Sequence, residues 1–139
     1  MPAETWFRIV FALIALGTAI YLIANLVTGR SRVGGRNVDR STAPRPYWGS
    51  VGKTAIMTTG LAIAVIQSSD DQRLPIVFLG LFGGQLFEML VSGVVAMPKG
   101  AFAKADRPAA YWRWVAFHAA IVILLIGLVI AQRTHFTIL

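Results

Sequence analysis

The sequence predicts an all-α integral membrane protein, a four-transmembrane-helix bundle made of two parallel-repeat helical hairpins. Three observations carry that reading. Hydrophobic residues fill 56% of the 139 positions and charged residues only 14%, with a mean hydropathy of +0.66. A soluble domain of this size has no interior large enough for that much apolar surface, whereas a bilayer solvates it. The apolar residues also gather into four runs, each close to the roughly 20 residues that cross a hydrocarbon core of about 30 Å as a helix. Finally, the chain resembles itself. Residues 22–66 laid without a gap on 86–130 put Leu26-Val27-Thr28-Gly29 on Leu90-Val91-Ser92-Gly93, Pro44 on Pro108 and Tyr47-Trp48 on Tyr111-Trp112. Apolar coincidences mean little in this composition, but Gly and Pro-x-x-Tyr-Trp in constant register are punctuation with conformational roles. The length suits one domain, so 1–139 reads as a single membrane domain, with unit one at about 6–67 and unit two at about 74–131.

The first run, Trp6–Thr28, has Glu4 and only Arg8 beside it, is too long for a signal-peptide core and lacks a small-x-small cleavage site; it reads as a retained span. Arg30, Arg32, Arg36, Arg40 and Arg45 follow, against a single Asp39. The second run, Trp48–Gln67, is the weakest, holding Lys53 and three Thr, and the lysine stem is expected to snorkel to the headgroups. A short, slightly acidic turn (Ser68-Ser69-Asp70-Asp71-Gln72-Arg73) leads to the third run, Leu74–Val95. Lys99, Lys104 and Arg107 then precede the fourth, Tyr111–Ala131. Lys and Arg in short loops mark the cytoplasmic side. Both basic loops are therefore expected inside, with both termini and the acidic turn outside, most simply in a bacterial inner membrane. Tyr47, Trp48, Tyr111, Trp112 and Trp114 sit where an aromatic belt belongs, with Trp6 on the other side. Each unit enters from the same side, so the halves should be related by roughly a half-turn about the membrane normal. Thr42 and Asp106 are the expected N-caps, with Pro44 and Pro108 in the first helical turn.

The uncommon residues are polar ones inside the spans. Gln85, Glu88 and Ser92 fall on one face of the third helix; Tyr21, Asn25 and Thr28 lie on the first with nearly the same spacing. His118 on the fourth helix corresponds to Thr54 on the second. At 1.5 Å per residue Glu88 and His118 both lie roughly 10–12 Å inside the cytoplasmic boundary, and facing helices would let them share a proton or lock packing through a hydrogen bond. Gly80-x-x-x-Gly84, Ala116-x-x-x-Ala120 and Gly127-x-x-x-Ala131 allow close helix approach, within the bundle or, alternatively, across a homodimer. The basic loop residues Arg30, Arg32, Arg36, Arg40, Arg45, Lys99, Lys104 and Arg107, with Trp48 and Trp112, are candidates for contact with anionic lipid headgroups or a partner, although simple topology already accounts for them.

Other chemistry is excluded on composition. The chain has no Cys, which removes disulfides, thiolate catalysis and sulfur-ligated metals. It has no P-loop, zinc or nucleophile-elbow pattern, and Gly34-Gly35 and Gly83-Gly84 lack the strand–helix context of a nucleotide loop. His118 and His135 stand too far apart along one helix to share a haem. The net charge of +7 is confined to short loops that offer no surface for nucleic acid. The expectation is a non-catalytic accessory, scaffolding or protective (immunity-type) subunit without metal or cofactor. Its partners would be membrane lipids, anionic ones included, and a protein partner or second copy. The alternative is a small proton-sensitive transporter or channel using Glu88 and His118.

Overall fold

The computed structural model describes residues 2–67, 70–97 and 100–137. Its helices are α1 (Ala3–Thr28), α2 (Pro44–Ile66), α3 (Asp70–Ser92) and α4 (Pro108–Thr137). All four are long and apolar enough to cross a membrane, as an integral membrane protein requires.

The segments joining α1 to α2 and α3 to α4 add short strands to an otherwise helical chain. Each is a two-stranded antiparallel hairpin: β1 (Arg30–Val33) with β2 (Arg36–Asp39), and β3 (Val94–Met97) with β4 (Gly100–Ala103). Val95, taken from sequence as the end of the third span, therefore belongs to β3. Gly29 and Gly93 make the transition. They stand at φ 67° and 68°, and their N–H groups donate to Asn25 O and Met89 O, both at 2.9 Å. A left-handed residue ends a helix this way, and only glycine adopts it at no steric cost. Gly34 and Gly35 lie at φ 55° and 79°, the paired positive φ of a two-residue type I′ turn, whose twist matches that of the flanking strands. The Arg40 N–H donates to Gly29 O, and the Lys104 N–H to Gly93 O, both at 2.8 Å, closing the base of each hairpin.

Helix entry differs from expectation in its cap. The residue before α2 is Ala43, with no side-chain cap bond, and α4 begins after Arg107, so Thr42 and Asp106 each stand one position too early. Proline at the first helical position has no N–H to satisfy, which lowers the need for a side-chain acceptor. Instead the Ala43 N–H donates to Asp39 O at 2.8 Å and the Arg107 N–H to Ala103 O at 3.2 Å. Tyr47 and Tyr111 also depart from the belt role. Both are buried, and their hydroxyls donate to Asn25 O (2.8 Å) and Met89 O (2.6 Å), clamping the start of one helix to the end of the preceding one. Trp48 and Trp112 remain about half exposed, each edge-on to its tyrosine.

The helices form an open row. α2 and α3 share the most extensive interface, α1 packs on α2, and α4 packs on α3. α1 and α4 make no comparable contact with each other among the described residues. A closed half-turn would make the α4–α1 interface match the α2–α3 one, so the halves are not closed on each other in that way. The central interface is a glycine seam. A Cβ on Gly60 would lie 3.0 Å from Gly80 Cα, and one on Gly84 would lie 2.9 Å from Lys53 O. Lipid tails are as apolar as Leu, so helix association in a bilayer depends on such close van der Waals approach. Gly80-x-x-x-Gly84 is spent here. The small residues of α4 are not: Ala116, Ala120, Gly127 and Ala131 are all exposed.

Candidate functional site

Inside the seam lies an ion pair between two of the candidate spans. Lys53 Nζ on α2 stands 2.6 Å from Glu88 Oε2 on α3. The Glu88 side chain is 2% exposed and that of Lys53 21%, so the carboxylate is sealed and the ammonium only partly so. Glu88 Oε1 is buried with no hydrogen-bond partner. Glycine makes the room: a Cβ on Gly52 would overlap the Phe87 ring, and one on Gly84 would crowd Lys53 Cγ at 3.2 Å. Ser92 Oγ donates to Glu88 O at 2.6 Å, which turns the serine into its own helix.

The expected Glu88–His118 contact is replaced by this pair. Glu88 faces α2, whereas His118 lies on α4, beyond the opposite side of α3. Its Nδ1 is 2.9 Å from Trp114 O, and its ring packs against Phe82, Trp114 and Phe117. Lys53 does not serve simply as a headgroup anchor, as the sequence suggested. A signal for the pair was present. Lys53 and Glu88 lie almost symmetrically about the short α2–α3 turn, as do Gly60 and Gly80, so an antiparallel hairpin sets the acid level with the base.

The first-helix stripe divides. Tyr21 is 42% exposed and faces outward, while Asn25 is buried. Asn25 Nδ2 donates to Ser31 Oγ at 3.2 Å, Ser31 and Ser50 share a hydroxyl bond of 2.6 Å, and Ser50 Oγ donates to Arg32 O at 3.2 Å. Thr54 Oγ1 donates to Ser50 O at 3.0 Å and Thr28 Oγ1 to Ala24 O at 2.7 Å. This network ties α1, β1 and α2 together. Ser31 and Ser50 escaped the sequence reading because short hydroxyl residues at membrane ends carry no pattern of their own. The corresponding place in the second half is apolar, filled by Met89, Val95, Tyr111 and Val115. Gln85 is half-buried one turn from Glu88.

The basic residues sit above these cores. Arg30, Arg32, Arg36, Arg40, Arg45, Lys104 and Arg107 are all exposed; Lys99 lies outside the described residues. Arg30 Nε is 3.7 Å from Asp39 Oδ2. The Ser41 N–H and hydroxyl donate to the Asp39 carboxylate and, with Arg30 and Arg40 nearby, hold its pKa below the ordinary value. Lys104 Nζ stands 4.7 Å from the centre of the Trp112 ring, a cation–π distance. The hairpins approach each other, since a Cβ on Gly34 would lie 2.8 Å from Ala101 Cβ. Beside that contact runs a cleft of about 440 Å³ with valines, Phe102 and Pro46 in its walls and Arg36 and Asp106 among its lining.

At the opposite end Arg73 is buried. Its Nε and Nη2 donate to Gln67 O at the end of α2, and Nη2 also reaches Glu4 Oε1 at 3.1 Å. Glu4 accepts from Arg8 as well, at 2.9 Å. Among the described residues no group of three His, Asp or Glu side chains converges as a metal site would require. No known family pattern matches the chain, and no curated protein or solved structure matches it in comparison.

Proposed function

We propose that this is a small non-catalytic subunit of a bacterial inner membrane, accessory, scaffolding or protective in role, built from a duplicated helix–hairpin–helix unit. It acts by presenting a firmly held basic hairpin, Arg30–Asp39, together with Lys104 and Arg107 beyond the second hairpin, to the cytoplasmic leaflet and to whatever assembles there. Both termini face outward. The observation that carries the reading is the fixed display of Arg30, Arg32, Arg36, Arg40 and Arg45, all exposed on a frame secured by the Gly29 turn and the Tyr47 clamp. Each Lys or Arg near an anionic surface adds about 1 kcal/mol of attraction. The duplication is supported by hydrogen bonds that recur at positions 64 apart, Tyr47 to Asn25 and Tyr111 to Met89 among them.

Native mass spectrometry after reconstitution in mixed lipid tests the headgroup role. The wild-type chain is expected to retain phosphatidylglycerol or cardiolipin over phosphatidylcholine, and an Arg32→Gln/Arg36→Gln/Arg40→Gln variant to lose that preference. Equal retention by both would remove it. One observation favours a second reading, a proton-sensitive site: the buried Glu88 carboxylate leaves Oε1 without a partner. In that reading Glu88 works with Lys53, and His118 stands apart. Glu88→Gln would then abolish a pH-dependent activity while leaving the fold intact.

A further inference from the structure

The cleft beside the Gly34–Ala101 contact receives unlike charges from the two halves. Its walls carry Val38 from the first hairpin, Val94 and Phe102 from the second, and Pro46 from the start of α2. Arg36 of the first unit and Asp106 of the second also line it. Their counterparts 64 positions away, Gly100 and Thr42, carry no charge. Arg36 stands opposite Val33 across the type I′ turn, which sets it on the strand face that looks into the cleft, while Arg30 and Arg32 lie on the other face.

Neither charge is spent inside the fold. Among the described residues, the Arg36 guanidinium and the Asp106 carboxylate form no hydrogen bond or ion pair, with each other or with another group. Asp39, the acid of the first hairpin, is taken by Ser41 and Arg30. Asp106 has no such duty, and it stands one position too early to cap α4.

We propose that this cleft binds the headgroup of a zwitterionic phospholipid with a primary amine, phosphatidylethanolamine, Arg36 holding the phosphate and Asp106 the ammonium. The guanidinium fork donates to phosphate oxygens, and the ammonium donates to the carboxylate. At about 440 Å³ the cleft lies within the span of about 300–1,000 Å³ usual for small-molecule sites. Its position selects a lipid over a soluble zwitterion. Val94 is two residues beyond the end of α3 and Pro46 is the third residue of α2, so the cleft opens where the apolar helices end and headgroups begin. Its apolar walls then accompany the glycerol and the first carbons of the chains. Phosphatidylglycerol would satisfy Arg36 and leave Asp106 unpaired. Phosphatidylcholine carries both charges, but its trimethylated nitrogen has no N–H for the carboxylate. The inference goes beyond the anionic-headgroup reading and turns on Asp106, which that reading does not use.

Native mass spectrometry tests it, with the chain reconstituted in equal parts of phosphatidylethanolamine, its N,N-dimethyl form and phosphatidylcholine, all with the same acyl chains. The wild type should retain the first over the last by about tenfold, the scale of one hydrogen bond to a charged group, with the dimethyl lipid between them. Asp106→Asn should abolish that order while its thermal unfolding stays at the wild-type temperature, because the carboxylate bonds nothing in the fold. Cardiolipin retention, measured separately, should not fall in this variant. Equal retention of the three lipids by the wild type, an order that survives Asp106→Asn, or a fall in cardiolipin retention in that variant would each overturn the proposal. So would displacement of the lipid by soluble glycerophosphoethanolamine, which would place the occupant in solution. A wild type that shows the order without any preference for anionic lipid upholds this site and removes the anionic reading alone.

Discussion

At the scale of single residues, the two members of the Lys53–Glu88 pair are unequal. The carboxylate cannot reach water from its place in the seam, whereas the longer and partly exposed lysine can extend toward the headgroups. Lys53→Leu therefore leaves a buried acid that must stay ionised alone or take up a proton, and removing one partner of a buried pair costs about 3–5 kcal/mol. Glu88→Gln keeps the shape and frees a lysine that can move, a loss of about 1 kcal/mol. The double Lys53→Leu/Glu88→Leu variant, with no charge left to solvate, should recover most of the stability. Reversible unfolding in mixed micelles of all four chains measures the asymmetry. Equal losses from the two single changes would mean that the pair is not sealed on the acid side.

Among the elements, the α2–α3 hairpin depends on atoms that are absent. Gly60 meets Gly80 so closely that valine at 60 must push the helices apart, at about 1–3 kcal/mol for overpacking. Gly17 in α1 has nothing within 4 Å of a Cβ, so Gly17→Ala should instead stabilise by up to about 1 kcal/mol through helix propensity. Opposite signs for these two changes in the same unfolding assay would locate the tight interface. The spans were legible in the sequence because a bilayer demands long apolar runs, and Gly29 and Gly93 marked the helix exits. The hairpins were not. Gly34-Gly35 is a two-residue turn signal, but it stands among arginines with none of the apolar alternation that marks a strand. The site was half legible. An acid within a span singled out Glu88, but the choice of partner depended on which face of α3 met α2. That is fixed by the register of Gly80 and Gly84, and depth alone does not contain it.

For the whole molecule, the firmest expectation is orientation. Single cysteines at Gly35 and Ala105 should react with a membrane-impermeant reagent only after the inner face is opened, and one at the exposed Ala3 from outside. Labelling of position 35 in intact cells would invert the assignment and carry the arginine-rich hairpin to the other leaflet. The open row has a consequence for how the chain enters the membrane at all. α2 is the least apolar of the four spans and brings a lysine into the bilayer, which costs an insertion machinery about 2.5–3.5 kcal/mol at mid-span. The carboxylate that offsets this charge, and the glycines that shelter it, lie on α3, which emerges from the ribosome later. α2 therefore commits to the bilayer as half of a hairpin, waiting at the translocon until α3 arrives. A defect in the seam would show first as chains of mixed topology handed to quality control, before any loss of stability in those that had inserted correctly.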